Sequence, residues 1–155
     1  MQNIITTHEI LLIEDSPSDA HLAQRAFAES RFASHVSHAR DGVEAMEMLR
    51  REGPHADCRR PDLILLDLNM PRKDGRQVLA ELKQDEQLRR IPVVVLTTSA
   101  DDQDIAEAYR LGSNSYIVKP VDLKTFFQVV EHTQQYWFDT CRLPDANEGF
   151  VLRQN

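Results

Sequence analysis

The chain has 155 residues, 41% of them hydrophobic and 28% charged, which suits one domain with a core of its own and no metal or disulfide staple. Its 25 acidic and 18 basic side chains leave a net charge of −7 at pH 7, which disfavours a nucleic-acid binder, because such a protein needs a basic face to displace counterions. Two widely spaced cysteines (Cys58 and Cys141), a polar N-terminus and no apolar run near the ~20 residues of a membrane helix lead us to expect a reduced, cytoplasmic protein without a membrane anchor.

Short apolar runs alternate with amphipathic segments along the chain. Ile10-Leu11-Leu12-Ile13 is the first run and stops at Glu14-Asp15, with Pro17 suited to the first turn of the helix that follows. His35 to Ala39 is the weakest strand signal. Asp41 followed by Glu44 resembles a capping box ahead of Ala45, Met48 and Leu49. His55 to Arg60 is a loop, and Leu63-Ile64-Leu65-Leu66 then ends at Asp67. After Gly75, the stripe Val78, Leu79 and Leu82 predicts a helix, and Val93-Val94-Val95-Leu96 ends at Thr97-Thr98. The acids Asp101, Asp102 and Asp104 suit the N-terminus of a helix carrying Ile105, Ala108 and Tyr109. Tyr116-Ile117-Val118 ends at Lys119-Pro120, and a last helix capped by Asp122 carries Leu123, Phe126, Phe127, Val130 and Trp137. From Pro144 onward the chain is a loose tail.

Apolar runs without alternation are what strands buried on both faces look like, so five strand–helix units predict an open parallel sheet covered on both sides. In such sheets ligands sit beyond the carboxyl ends of the strands. The residues waiting there are Glu14, Asp15, Asp67, Thr97, Thr98 and Lys119. Taken singly, each has a plain explanation as a turn former, a helix cap or a surface residue. Together they make three carboxylates, two hydroxyls and an ammonium at four strand ends. Carboxylates crowded in this way repel, and a divalent cation resolves the conflict. A small set of oxygen ligands suits Mg²⁺, which leaves positions open for phosphate oxygens. Add a carboxylate nucleophile, and the parts are those of phosphoryl transfer.

From about Glu9 to about Thr133 the chain resembles bacterial response-regulator receiver domains. The resemblance rests on Ile10-Leu11-Leu12-Ile13-Glu14-Asp15, on Leu65-Leu66-Asp67-Leu68-Asn69-Met70-Pro71 with Asp74-Gly75, on Val95-Leu96-Thr97-Thr98 and on Tyr116-Ile117-Val118-Lys119-Pro120. It implies a flavodoxin-like, doubly wound (βα)5 fold with a five-stranded parallel sheet of order 2-1-3-4-5. Residues 9–140 would form the receiver, with tails at 1–8 and 141–155. It further implies Asp67 as phosphoacceptor and Mg²⁺ held by Glu14, Asp15, Asp67 and the main-chain carbonyl of Asn69. Thr97 and Lys119 would contact the phosphoryl oxygens. Tyr116 would rotate inward with Thr97 as the switch, and the Lys119–Pro120 bond would be cis. Glu14 stands where the family more often has Asp.

The stretch from Leu65 to Gly75, the insertion from Arg51 to Arg60, the ending Tyr136-Trp137-Phe138 and Leu143-Pro144 resemble the small regulators paired with phytochrome-type kinases. That subgroup implies a sensor histidine kinase as donor and a homodimer through the last helix and its aromatic segment. Phe126, Phe127, Tyr136, Trp137 and Phe138 are more aromatics than one core stripe needs, although a stripe with a folded-back tail would also place them. The chain itself has no kinase or ATP-binding pattern, so it is expected to be a phosphoacceptor and not an enzyme acting on other substrates. Too few residues follow Thr133 for an output domain, so output is expected through a partner, through dimerisation or by drawing phosphate from the kinase.

The alternatives are weaker. A haloacid-dehalogenase-type phosphatase needs a second Asp where Asn69 stands. A calcium loop from Asp67 fails at Pro71 and Arg72. A degenerate receiver serving only as a scaffold would have lost the acceptor, the acids or the lysine, all of which are present. His55 with Cys58 is at best half a metal site.

Overall fold

Successive strand residues point to opposite faces, so an unbroken apolar run requires cover on both sides. The computed structural model, which describes residues 7–144, supplies it. Five strands, β1 (His8–Ile13), β2 (Ser34–Ala39), β3 (Leu63–Leu66), β4 (Val93–Thr97) and β5 (Ser115–Val118), alternate with five helices. These are α1 (Pro17–Glu29), α2 (Gly42–Arg50), α3 (Gly75–Gln84), α4 (Asp102–Arg110) and α5 (Leu123–Gln135). All strand pairs are parallel and the order is β2-β1-β3-β4-β5, the flavodoxin-like arrangement.

Leu11, Ile13, Ile64, Leu66 and Val93 face Ala45, Leu49, Val78, Leu79 and Leu82 of α2 and α3. Their neighbours Ile10, Leu12, Leu63, Leu65, Val94 and Leu96 face Ala20, Ala23 and Phe27 of α1 and Phe126 and Val130 of α5. A smaller cluster of Leu68, Val95 and Ala108 lies beneath α4, with Tyr116 packed on it. The register sets Ile13 beside Leu66, Leu66 beside Val95 and Thr97 beside Val118, so the strands end level with one another. Among the described residues no helix is long and apolar enough to cross a membrane.

Each helix begins on a side-chain cap: Ser16, Asp41, Asp74, Asp101 and Asp122. At α2 the expected capping box is only half made. Asp41 accepts from the Glu44 amide, but Glu44 Oε1 accepts from the Arg40 amide instead of returning to Asp41. The reciprocal box belongs to α3, between Asp74 and Gln77. Arg72, at φ 64°, carries the chain from β3 toward α3 through the left-handed region, at a cost of roughly 1–2 kcal/mol. Its guanidinium binds Asp41, with Nε donating at 3.0 Å, and so ties this loop to the start of α2.

The last helix differs from the expectation that Trp137 continues it. Regular α-helix stops at Gln135, and Tyr136–Thr140 form a wider π turn in which the Cys141 amide donates to the Tyr136 carbonyl at 2.7 Å. This turn folds the aromatics back onto their own domain. Phe126 is in the core, while Phe127, Trp137 and Phe138 pack against it. Phe138 also stacks on His8 at 4.0 Å and 8°. Of the five aromatics expected to serve a partner, Tyr136 alone is exposed, at 53%. Leu143 and Pro144 lie beside Arg60–Asp62 and Arg90–Pro92, and the rest of the expected tail, 145–155, lies outside the described residues.

Gly75 matters for space. A Cβ there would fall inside contact distance of the Asp67 carbonyl oxygen and 2.8 Å from Leu68 Cα. Gly75→Ala should therefore destabilise the domain by about 1–3 kcal/mol. Urea unfolding would show a lower midpoint at unchanged slope.

Candidate functional site

Four strand ends converge because the register leaves them level. Glu14 follows β1, with its amide donating to the Ala39 carbonyl of β2 at 3.0 Å. Asp67 follows β3, and its amide donates to the Ile13 carbonyl at 3.0 Å. Lys119 follows β5, and its amide donates to the Thr97 carbonyl at 2.7 Å. These bonds extend the sheet's pairing by one residue and lock each functional residue to the neighbouring strand.

Carboxylate oxygens of Glu14, Asp15 and Asp67 all lie within 4.8 Å of one another. Glu14 and Asp67 are buried, and Asp15 is more open. Lys119 Nζ donates to Glu14 Oε2 at 2.6 Å and to Asp19 Oδ2 at 3.2 Å. The other Glu14 oxygen accepts from the Ser16 amide at 3.1 Å. Burial pushes the Glu14 carboxyl up to about 7, against the Lys119 hydrogen bond and with the charge of Asp67 adding to the rise. Burial alone would lower the Lys119 ammonium, yet Glu14, Asp67 and Asp19 together hold it above its ordinary value. Four carboxylates thus share one ammonium, and the site is short of positive charge. A hard divalent cation fits that donor set of carboxylate oxygens.

Beside the acids lies a cavity of about 240 Å³. Glu14, Asp19, Asp67, Thr98 and Lys119 form its polar lining, and Leu12, Leu22, Leu65, Leu96 and Phe126 form an apolar wall. Thr98 is exposed and borders this space, whereas Thr97 is fully buried and its Oγ1 has no hydrogen-bond partner. A buried hydroxyl without a partner costs about 1–3 kcal/mol, so Thr97 carries an unmet demand next to the site. Asn69 is exposed in the β3–α3 loop, two residues beyond Asp67. Tyr116 is already turned inward. Its ring packs with Leu68, Val95 and Ala108, and its hydroxyl donates to the Ser99 carbonyl at 2.9 Å.

One expectation is corrected. The Lys119–Pro120 bond is trans, and no cis peptide occurs among the described residues. Trans is the lower state of an X–Pro bond by roughly 0.5–1 kcal/mol, and Lys119 reaches Glu14 from it. Asp19 escaped the sequence reading because it lies in the first turn of α1, where an acid is usually a helix-dipole residue. Its five-residue distance from Glu14 was the available hint.

Comparison with known proteins agrees with this geometry. Residues 10–131 match the response regulator receiver domain. The chain belongs to that family. The receiver is 46% identical over 137 residues to Response regulator Rcp1 of Synechocystis, covering 88% of this chain and 93% of that protein. It superposes on the crystal structure of the phosphorylated cyanobacterial phytochrome response regulator RcpA with a TM-score of 0.86. The two are 49% identical, over 90% of this chain and 100% of that one. A crystal structure of the Mn²⁺-bound form of Rcp1 gives a TM-score of 0.82 at 45% identity, over 89% and 99% of the two chains. The receiver is a signalling protein with three clustered strand-end acids, and its relative Rcp1 has a known Mn²⁺-bound form.

The Glu14 shift has a stability consequence. A carboxyl raised from 4.5 to about 7 in the fold contributes stability as the neutral acid below pH 4.5 and loses it as pH rises through 7. In EDTA, the unfolding free energy should therefore fall across this window by up to about 3 kcal/mol. Glu14→Gln should flatten that slope in urea titrations at successive pH values.

Proposed function

We propose that the receiver accepts a phosphoryl group on Asp67 from a sensor histidine kinase, with Mg²⁺, and changes conformation to control its partner contacts. The observation that carries this reading is the cluster of Glu14, Asp15 and Asp67 oxygens within 4.8 Å of one another, with Lys119 as the adjoining ammonium. An Asp67 oxygen attacks phosphorus as the phosphorus–nitrogen bond of the phosphohistidine breaks, and the electron pair leaves on the imidazole, which takes up a proton. The product is an acyl phosphate. Glu14, Asp15, Asp67 and the Asn69 carbonyl would hold Mg²⁺, which supplies charge neutralisation for the transferring group. Lys119 meets the new phosphoryl oxygens, and this same site acts in its own phosphorylation and dephosphorylation.

The Thr97 hydroxyl, unpartnered inside the domain, gains an acceptor when a phosphoryl oxygen arrives. That differential contact is what shifts a two-state domain. Tyr116 is already held inward by the Ser99 carbonyl, two residues beyond Thr97, so it stands ready for that shift. The relatives named as phytochrome response regulators support a place in a light-sensing pathway with a phytochrome-type kinase as donor; the free thiols Cys58 and Cys141 suit a reduced cytoplasm. The proposed homodimer uses the last helix and its aromatic segment, where Leu123 at one end and Tyr136 at the other are about half exposed. Phe126, which is buried, takes no part in it.

Incubation with acetyl phosphate should add one phosphoryl mass in the presence of Mg²⁺ and none in EDTA, with Asp67→Asn unlabelled, as intact mass spectrometry would record. No adduct where a known receiver is labelled would leave the chain a scaffold. Lys119→Ala should still bind Mg²⁺, as calorimetry would register, but phosphorylation should no longer change its dimerisation or partner affinity.

A further inference from the structure

We propose that Arg76 is a positioning residue for the switch: through Asp104 it clamps the Ser99 loop, and so keeps Tyr116 inside the domain before any phosphoryl group arrives. The inference rests on Asp67 being the phosphoacceptor.

The clamp is a continuous chain of bonds. Arg76 Nη2 donates to Asp104 Oδ1 at 2.6 Å. The other Asp104 oxygen accepts from the Ser99 hydroxyl at 2.6 Å, and the Ser99 carbonyl accepts from the Tyr116 hydroxyl at 2.9 Å. Four segments take part: α3, α4, the loop between β4 and α4, and β5. Arg76 is held from further sides, its Nε 3.5 Å from Glu107 and its Nη1 3.7 Å from Asp74. Its side chain is 23% exposed, unlike the surface arginines Arg40 and Arg110 at 77% and 70%. Hydrogen bonds from Ser99 and Arg76 hold the Asp104 carboxyl below its ordinary range, so it serves both donors as the anion.

A helix-dipole role does not account for the arrangement. Asp101 caps α4 and Asp102 is exposed in its first turn, and neither pairs with Arg76. Asp104 and Glu107, three residues apart and therefore on one face, are the acids that meet it. Arg76 also stands next to Gly75, whose amide donates to the Leu68 carbonyl at 2.9 Å just after the acceptor. The clamp thus braces the segment behind Asp67 against the segment behind Thr97.

The energetic consequence follows from linkage. The inward tyrosine needs the Ser99 carbonyl where the clamp holds it, so without Arg76 the loop and the ring are free to leave together. A ligand that binds a fractionally populated state shows its affinity reduced by that fraction. The clamp raises the competent fraction in advance, and the phosphoryl contacts have less to do.

The test uses the full chain carrying 3-fluorotyrosine at Tyr109, Tyr116 and Tyr136, with Tyr116→Phe to assign the signals. Fluorine NMR without any phosphoryl donor should place Tyr116 in a buried environment in wild type. In Arg76→Met, which keeps the bulk, and in Asp104→Asn, its signal should move toward the solvent-exposed position. The apparent affinity for beryllofluoride with Mg²⁺ should fall about fivefold or more in both. Arg76→Lys should recover part of each effect. An unmoved Tyr116 signal and wild-type beryllofluoride affinity in a folded Arg76→Met would overturn the clamp. Absence of acetyl phosphate labelling in wild type would instead overturn the phosphoacceptor reading, and the ligand-free fluorine signal would still judge the clamp.

Discussion

The ammonium of Lys119 sits 2.6 Å from Glu14 and 3.2 Å from Asp19, with Asp67 and Asp15 alongside, and it does not balance their charge. This shortage of positive charge in a partly buried site is the constraint on which the rest of the structure depends. Burial, with the charge of Asp67 adding to it, pushes Glu14 up to about 7, and the surrounding acids hold Lys119 in its charged form. The shortage makes the site receptive to a hard cation, and the cation in turn makes it receptive to an anion such as a phosphoryl group. The domain carries an electrostatic debt that its ligands settle.

Holding such a site together requires strand ends that cannot drift. The apolar faces of the sheet are fully covered, and the amides of Asp67 and Lys119 continue the parallel pairing past the ends of β3 and β5. The loops are fastened separately. Arg72 on Asp41 secures the segment after the acceptor, and Gly75 lets α3 start directly against the Asp67 carbonyl. A rigid floor with individually tethered loops allows the charge at the site to change without disturbing the core.

Two side chains near the site carry the conformational side of the function, and they differ in state. Thr97 is buried and unpartnered, so it has an interaction still to gain. Tyr116 is already packed and hydrogen-bonded to Ser99. A switch in which one member waits while the other is pre-set responds to a modest differential free energy.

The sequence by itself determined the strands, the burial of β1, β3 and β4 on both faces and the acids, threonines and lysine at the strand ends. These are local properties: an apolar run without alternation has few ways to fold, and a polar residue ending it must sit at the strand's edge. Only the tertiary structure decided which partners those residues found. Asp19 joined Lys119, Arg76 found Asp104 and Ser99, and Thr97 was left without a partner although Thr98 beside it borders the cavity. The π turn that folds Trp137 and Phe138 onto their own domain belongs to the same class. Each depends on contacts between segments far apart in the chain, where a residue's type limits the possible bonds but packing geometry selects among them.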